Sequence, residues 1–383
     1  MLPSKLLYQN KIESSYARNF ISKIQPQNTS SFALGQTTII NIPCMANQVL
    51  SGVDTVLNVS LGLKNSGVDD LAANATFLDS AGIVLNSADV AANTDLSVAQ
   101  FSIPLMTIFN LSNNYVPCWA LTSSSLRLEI QWASNLSQFI NYPTGNVLGP
   151  VTNSQTVFND VNLTCNFMEL SDSAMAIIQN SLQGKPVEWV VSNWANYIFN
   201  TTLPDSITSV SMAVPAKFNS LKSLLFTFRP QTSAAGSGTT AGSGVYGSES
   251  VKRFLLEYDA RIGSRVVPSD KPNTTSQFYS EFLRAISSVG NLDHETNITW
   301  AMYSANASVA ATSSKFAVGF DLESYSAVDL SKTYQGLNTS TDDIFANFRF
   351  GAQAADRATR IDAYAYYDQL IVCQNGGIVS VSY

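Results

Sequence analysis

The chain has 383 residues, enough for about two domains that each bury a core of their own. Charged side chains make up 13% of it, against a usual share of about 25%. Hydrophobic content stays at 45% and net charge at -7, which excludes a disordered chain and argues against a domain built to grip nucleic acid. The missing charge is replaced by Asn, Ser, Thr and Gln. That composition fits either a protein that covers much of its surface with partners or a secreted β-protein rich in small polar residues.

In chain order, the first feature is a basic start. Lys5, Lys11, Arg18 and Lys23 outnumber the single acid Glu13, so the N-terminus reads as a short basic arm. Such an arm is solvated, lies along a neighbouring subunit, or touches lipid head groups or nucleic acid. "MLPSKLLYQNKIESS" lacks the apolar stretch of a signal peptide. The repeated Asn-x-Ser/Thr triplets therefore read as products of composition.

The body of the chain is dominated by strand signals. "QTTIINIP" (36–43), "DTVLNVSLGL" (54–63), "SLRLEIQW" (125–132) and "FNDVNLTCNFMEL" (158–170) alternate or run apolar, are rich in β-branched and aromatic residues, and are bounded by turn residues. A helix is expected over 170–182, capped by Ser171 or Ser173, with Met175, Ile178 and Leu182 on one stripe and Gly184 and Pro186 at its end. Strands resume with "SITSVSMAV" (206–214) and "KSLLFTFR" (222–229).

Next comes "SAAGSGTTAGSGVYGSES" (233–250), which contains Gly236, Gly238, Gly242, Gly244 and Gly247. Residues 242–247 match Gly-x-Gly-x-x-Gly. A working phosphate loop follows a buried strand directly and opens a helix. Here about a dozen small residues intervene, and "SESVKRFLLEYDARIG" after them is as good a strand as a helix. The stretch reads as an exposed loop, not a nucleotide site.

A second helix is expected over 273–290, with Phe278, Phe282, Ile286 and Val289 as its stripe and Gly290 at its end. "KFAVGFDLE" (315–323), "IFANFRFG" (344–351), "TRIDAYAYYDQLIVC" (359–373) and "GIVSVSY" (377–383) complete the strands. In "RIDAYAYYD" Tyr364 and Tyr366 share one face with Asp362 and Asp368. "QNGG" (374–377) is a tight-turn signal, so the last strand should fold back on 364–373.

Catalytic constellations are sparse. The one histidine, His294, sits between Asp293 and Glu295, which as sequence neighbours would not converge on a metal from a strand or helix. There is no Gly-x-Ser-x-Gly elbow. Asp69-Asp70 and Asp342-Asp343 are adjacent pairs on loops, not carboxylates from separate strands. Cys44, Cys118, Cys165 and Cys373 are widely spaced among apolar residues and read as buried free thiols. No cofactor or metal is expected.

The ends of the two halves agree in the order of their features. "SLRLEIQWA … FNDVNLTCNFMELSD" and "IFANFRFGA … RIDAYAYYDQLIVCQ" each place a charge-bearing alternating strand before a longer one of the form acid, alternating apolar, aromatic, acid or Gln-Leu. This predicts two copies of one all-β domain.

On these features the sequence resembles the double jelly-roll major capsid proteins of tailless icosahedral DNA viruses. The lineage includes adenovirus hexon and the coats of internal-membrane phages. Residues 13–63 look like the start of a first jelly roll there, and "VPAKFNSLKSLLFTFRP" (214–230) is similar to the segment that leads into an apical loop. The resemblance implies an all-β fold of two tandem eight-stranded antiparallel jelly rolls with short junction helices. Mapped onto the sequence, it implies an arm over 1–22, a first roll over 23–185 and a second over 186–383.

It also implies a structural, non-enzymatic role. The expected product is a homotrimer of hexagonal outline that tiles an icosahedral virion shell and contacts its own copies and penton or minor capsid proteins. An internal membrane would meet the arm through Lys5, Lys11, Arg18 and Lys23, and the glycines of 233–250 would face outward. No sequence-specific nucleic acid is expected. Two other classes fit the residues: a secreted or surface β-sandwich lectin or adhesin, and a jelly-roll carbohydrate-active enzyme with two carboxylates across one cleft.

Overall fold

A computed structural model describes residues 17–63, 76–78, 84–85, 98–104, 115–123, 126–132, 134, 140–141, 156–230, 250–286, 296, 298–304, 315–323, 336–352 and 357–383. The strands β1 (Ala17–Ile24), β2 (Ser31–Ala33), β3 (Thr37–Ile42), β4 (Gln48–Leu63), β5 (Thr76–Leu78), β6 (Val84–Leu85), β7 (Val98–Pro104), β8 (Tyr115–Val116), β9 (Leu126–Gln131), β10 (Ile140–Asn141) and β11 (Thr156–Leu170) precede helix α1 (Asp172–Leu182). After it come β12 (Val187–Leu203), β13 (Thr208–Val214), β14 (Leu221–Pro230), β15 (Leu255–Ile262), β16 (Arg265–Val267), α2 (Thr275–Ala285), α3 (Trp300–Ser304), β17 (Val318–Asp321), β18 (Ile344–Phe350), β19 (Arg357–Gln374) and β20 (Gly377–Ser382).

The sheets repeat one plan. After α1, one sheet has the order β12-β19-β14-β17, with β20 also on β19, and the other has the order β13-β18-β15-β16. Numbered from one to eight, these strands are ordered 1-8-3-6 and 2-7-4-5, so the first strand pairs with the last as in a jelly roll. Before α1, one sheet runs β1-β11-β4-β7, with β2 and β8 beside it, and β3 pairs β9 in a second. Matching β1, β11, β4 and β7 to β12, β19, β14 and β17, and β3-β9 to β13-β18, reproduces the arrangement. The fold is two tandem antiparallel jelly rolls, as the sequence implied, with α1 at their junction and α2 and α3 within the second roll, between β16 and β17.

Alternation explains the strands. In β18, Ile344, Ala346, Phe348 and Phe350 are buried while the residues between them face out. They meet Phe226 and Phe228 from β14 and Tyr258 from β15 in one core. Phe226–Phe348 and Phe228–Phe350 pack edge to face at 5.1 and 5.6 Å between ring centres, a geometry that adds to simple burial. The first roll has its own core, built on Phe32, Ile40, Leu50, Leu57, Val161, Leu163 and Phe167.

Local signals act where the residues placed them. Ser171 caps α1 by accepting from the Ala174 amide, and left-handed Gln183 and Gly184 end it. Met175 is buried and Ile178 and Leu182 half-buried, so the stripe packs inward. Thr274 and Gln277 form a capping box on α2, whose Phe278, Phe282 and Ala285 enter the second core. Asn375 and Gly376, with φ of 54° and 80°, make the two-residue turn into β20, which pairs with Leu370–Gln374, the far end of the expected partner.

Three sequence readings change. The arm does not reach residue 22: Ala17–Ile24 is a strand, because Phe20 stacks on Phe167 at 5.5 Å between ring centres and Ile24 also packs on the first core. Within "SESVKRFLLEYDARIG" (248–263), open between strand and helix in the sequence, Leu255–Ile262 is strand β15, since pairing with β18 buries Leu255, Tyr258, Ala260 and Ile262. α2 ends at Ala285 and not at Gly290; Val289 and Gly290 lie outside the described residues. One long strand, β12, is not expected from the sequence pattern. It lies along β19 over its whole length, Val187 opposite Cys373 and Leu203 opposite Arg357.

Candidate assembly surface

The outward face of β12 and β19 joins exposed apolar side chains to buried charge. Along β12, Ala195, Tyr197 and Phe199 pack on the second core. The residues between them point away, and Trp194 and Ile198 stay 42% and 52% exposed. Pairing sets Trp194 opposite Tyr366, Asn196 opposite Tyr364 and Ile198 opposite Asp362. Trp194 stacks on Tyr366 at 4.6 Å between ring centres, and the Lys222 ammonium lies 5.0 Å from the centre of the same tyrosine ring.

Two carboxylates hold this face rigid. Asp362 is 0% exposed, its Oδ1 2.8 Å from Arg360 Nε and its Oδ2 3.4 Å from Arg229 Nε. Arg229 also donates to the Tyr364 hydroxyl at 3.3 Å. Asp368 accepts from the Ser192 hydroxyl at 2.9 Å and the Ser220 hydroxyl at 2.8 Å, with Lys222 Nζ 3.4 Å away. Burial works against the Lys222 ammonium, but Tyr366, Asp368 and Glu323 outweigh it and hold its pKa above the ordinary value. Both carboxylates are neutralised by cations of their own sheet. They form a fixed structural network and not a pair of acids open to a substrate. Tyr364, Tyr366, Asp362 and Asp368 do share one face, as the period of two predicted.

The other expected site residues fall in three places. Arg18 and Lys23 are exposed on β1, and the Arg18 guanidinium is 2.6 Å from Glu169 on β11. They stand on a sheet edge and not on a free arm. Lys5 and Lys11 lie outside the described residues, as do Gly236, Gly238, Gly242, Gly244, Gly247 and His294.

The glycine stretch leaves from Pro230 at the end of β14 and returns at Ser250, whose hydroxyl bonds the Phe316 carbonyl. The next described element in the chain is the strand β15 and not the helix that a phosphate loop opens. Of the acid pair on the 339–343 loop, Asp343 is bound by Lys217 at 2.9 Å. Among the described residues no three His, Cys, Asp or Glu side chains gather as a metal site, and no helix is long and apolar enough to cross a membrane.

Trp194 and Ile198 are not among the sites expected from the sequence, although "WANYIFN" (194–200) carries the signal. Its alternate residues are all apolar or aromatic on one face and mixed on the other.

No protein-family model matches the sequence, and no curated protein sequence matches it. Its fold does match solved structures. The PBCV-1 VP54 crystal structure, fitted into a cryo-EM reconstruction of the virophage Sputnik, superposes with a TM-score of 0.57 at 12% identity, covering 98% of this chain and 99% of that one. The quasi-atomic model of the PBCV-1 virus capsid gives 0.55 at 11% identity, covering 97% and 99%. The cryo-EM structure of the Sputnik virophage gives 0.52 at 10% identity, covering 100% and 92%. At such identities the likeness is one of fold, and it runs through both jelly rolls.

Proposed function

We propose that this chain is the major capsid protein of an icosahedral virus, a structural protein of the virion with no enzymatic role. One observation carries the reading: two jelly rolls in a single chain, matched from end to end by structures from virus particles. Three copies form a capsomer of hexagonal outline, six rolls in all, and capsomers tile the shell through contacts with one another and with penton or minor capsid proteins. The border between the rolls falls at residues 185 and 186, after α1. The glycine stretch 233–250 faces outward. Lys5, Lys11, Arg18 and Lys23 face inward, towards a neighbouring capsomer or an internal membrane.

The low share of charged residues supports this reading, because surfaces buried between subunits are depleted of charge. Trp194 and Ile198 supply the apolar side chains that such a contact covers.

Sedimentation velocity on the full-length chain at micromolar concentration tests the proposal. The expected species has three times the 41.4 kDa chain mass, and negative-stain images should reveal hexagonal blocks. A stable monomer overturns it. Trp194→Ala combined with Ile198→Asp should weaken association at least tenfold while the circular dichroism spectrum stays unchanged. Undiminished association removes this face from the contact.

A further inference from the structure

The turn between β19 and β20 is where the end of the second roll meets the first. The strand ladder closes with Gln374 opposite Gly377, so Asn375 and Gly376 alone span the turn, with φ of 54° and 80°. Asn375 is exposed. Gly376 is held: its carbonyl oxygen accepts from the Ser123 amide at 2.7 Å and from the Ser123 hydroxyl at 2.5 Å. A Cβ on Gly376 would lie 2.6 Å from Thr122 Oγ1, so the turn fits against the first roll with no room to spare.

An asparagine followed by glycine is chemically labile. The amide nitrogen of the next residue can attack the side-chain carbonyl carbon, and glycine alone leaves that nitrogen without a side chain in the way. Asn375-Gly376 is the one Asn-Gly pair in the sequence. Its surroundings leave the asparagine side chain in solvent and the Gly376 amide outside the ladder. Other asparagines before small polar residues are shielded. Asn28 spends its side chain on β3, donating to the Thr37 carbonyl at 2.7 Å and accepting from the Ile39 amide at 3.2 Å. Asn338 accepts from the amide and the hydroxyl of Ser340, and Thr339 after it is buried.

We propose that Asn375 is a site of spontaneous deamidation, gated by release of its turn from the first roll.

The reaction has two steps. The Gly376 amide gives its proton to hydroxide, and its nitrogen attacks Cγ of Asn375. The new bond to Cγ forms, the bond from Cγ to the side-chain nitrogen breaks, and ammonia leaves with a proton taken from water. Water then opens the resulting succinimide ring at one of its two carbonyls. Opening at one leaves aspartate. Opening at the other leaves isoaspartate, in which the main chain runs through the side-chain carbons. One water is consumed and one ammonia released, with no oxidant or reductant.

Docking opposes the first step. Closing the ring rotates the peptide plane between Asn375 and Gly376 out of the turn geometry, which breaks the paired bonds to Ser123. The chain therefore reacts while the turn is off the first roll, in a local opening. Isoaspartate adds a methylene to the backbone of a two-residue turn and a carboxylate beside it. The lengthened turn no longer fits against Thr122 and Ser123, so the seam between the rolls loosens irreversibly.

The test ages the full-length chain at mildly alkaline pH, folded and in urea, and maps the products by digestion and mass spectrometry. In the folded chain residue 375 should gain one mass unit before any other asparagine. Isoaspartate should outnumber aspartate, and an isoaspartyl methyltransferase should label the product. The unfolded chain should convert residue 375 at least tenfold faster than the folded one. Ser123→Ala removes one of the two bonds and should speed the folded chain about threefold. Aged protein should exchange amide hydrogens faster over residues 115–123, with β14 and β18 unchanged.

Should Ser123→Ala fail to fold, the comparison of folded and unfolded chains decides alone. First conversion at another asparagine, equal rates in the folded and unfolded chains, an unchanged rate in folded Ser123→Ala, or unaltered exchange over 115–123 after conversion would overturn the proposal. None of these readouts depends on whether the chain assembles a capsid.

Discussion

The two rolls share a strand plan and differ in what fills it. The second is held by rings: Phe226, Phe228, Phe316, Phe320, Phe348, Phe350, Tyr258 and Phe278 contact one another across both sheets. The described core of the first roll is mostly aliphatic, with Phe20–Phe167 and Trp132–Phe158 as its stacked pairs and with thiols in it. One topology therefore tolerates two chemistries, because a jelly roll asks only that alternate positions be apolar and of compatible volume. The rolls are also not independent. Cys373 belongs to the first core, and Val187, Val191 and Ile371 pack against it, so the base of β12 and β19 in the second roll completes the first. The turn at Gly376 docks on the first roll, its carbonyl accepting from the Ser123 amide at 2.7 Å.

The comparison can be broken at its strongest point first. Phe228→Ala removes a ring that touches Phe316, Phe348 and Phe350, and it should destabilise the second roll by about 3–5 kcal/mol. Hydrogen exchange should rise in β14 and β18 well before β4 and β11 are affected; equal loss in both rolls would mean that they unfold as one unit.

Asp362→Ala comes next. It leaves Arg229 and Arg360 side by side without their carboxylate, at a cost of about 3 kcal/mol, the low end for a buried pair because both guanidinia keep some solvent. Urea unfolding reads it, and a change below about 1 kcal/mol would mean that solvent already satisfies the two cations. The smallest effect sharpens the interface between the rolls. At Gly376→Ala a new Cβ would lie 2.6 Å from Thr122 Oγ1 at a φ of +80°, so a loss of about 1–2 kcal/mol is expected. Exchange should rise in residues 115–123 of the first roll as well as in β20. A change confined to β20 would show that the docking contributes nothing to the first roll.

Much of this was legible in the residues. The strands of 206–229 and 344–373 alternate cleanly, both helix starts carry their caps at Ser171 and Thr274, and Asn375-Gly376 announces its turn. Strands without clean alternation were harder to see. β1 carries Arg18 and Lys23 exposed, and it becomes a strand only because Phe20 and Ile24 find β11 across more than a hundred residues. β12 carries Trp194 and Ile198 on its solvent side among Asn196 and Asn200, so apolar residues fall on both faces and blur the alternation. The candidate surface suffers for the same reason. Asp362 looks like any strand carboxylate until register sets it between Arg229 and Arg360.

Local chemistry thus determined by itself the fold class, most strand positions, the helix caps, the final hairpin and the doubling of the domain. Period-two burial, capping and turn geometry act between near neighbours in the chain. The partners of each strand, the union of the two rolls through Cys373 and Gly376, and the pairing of charges were decided only by tertiary structure. Those contacts join residues up to 253 positions apart, as in Ser123 and Gly376. Which distant strands come together is settled by the burial of two whole sheets at once and not by any short stretch of sequence.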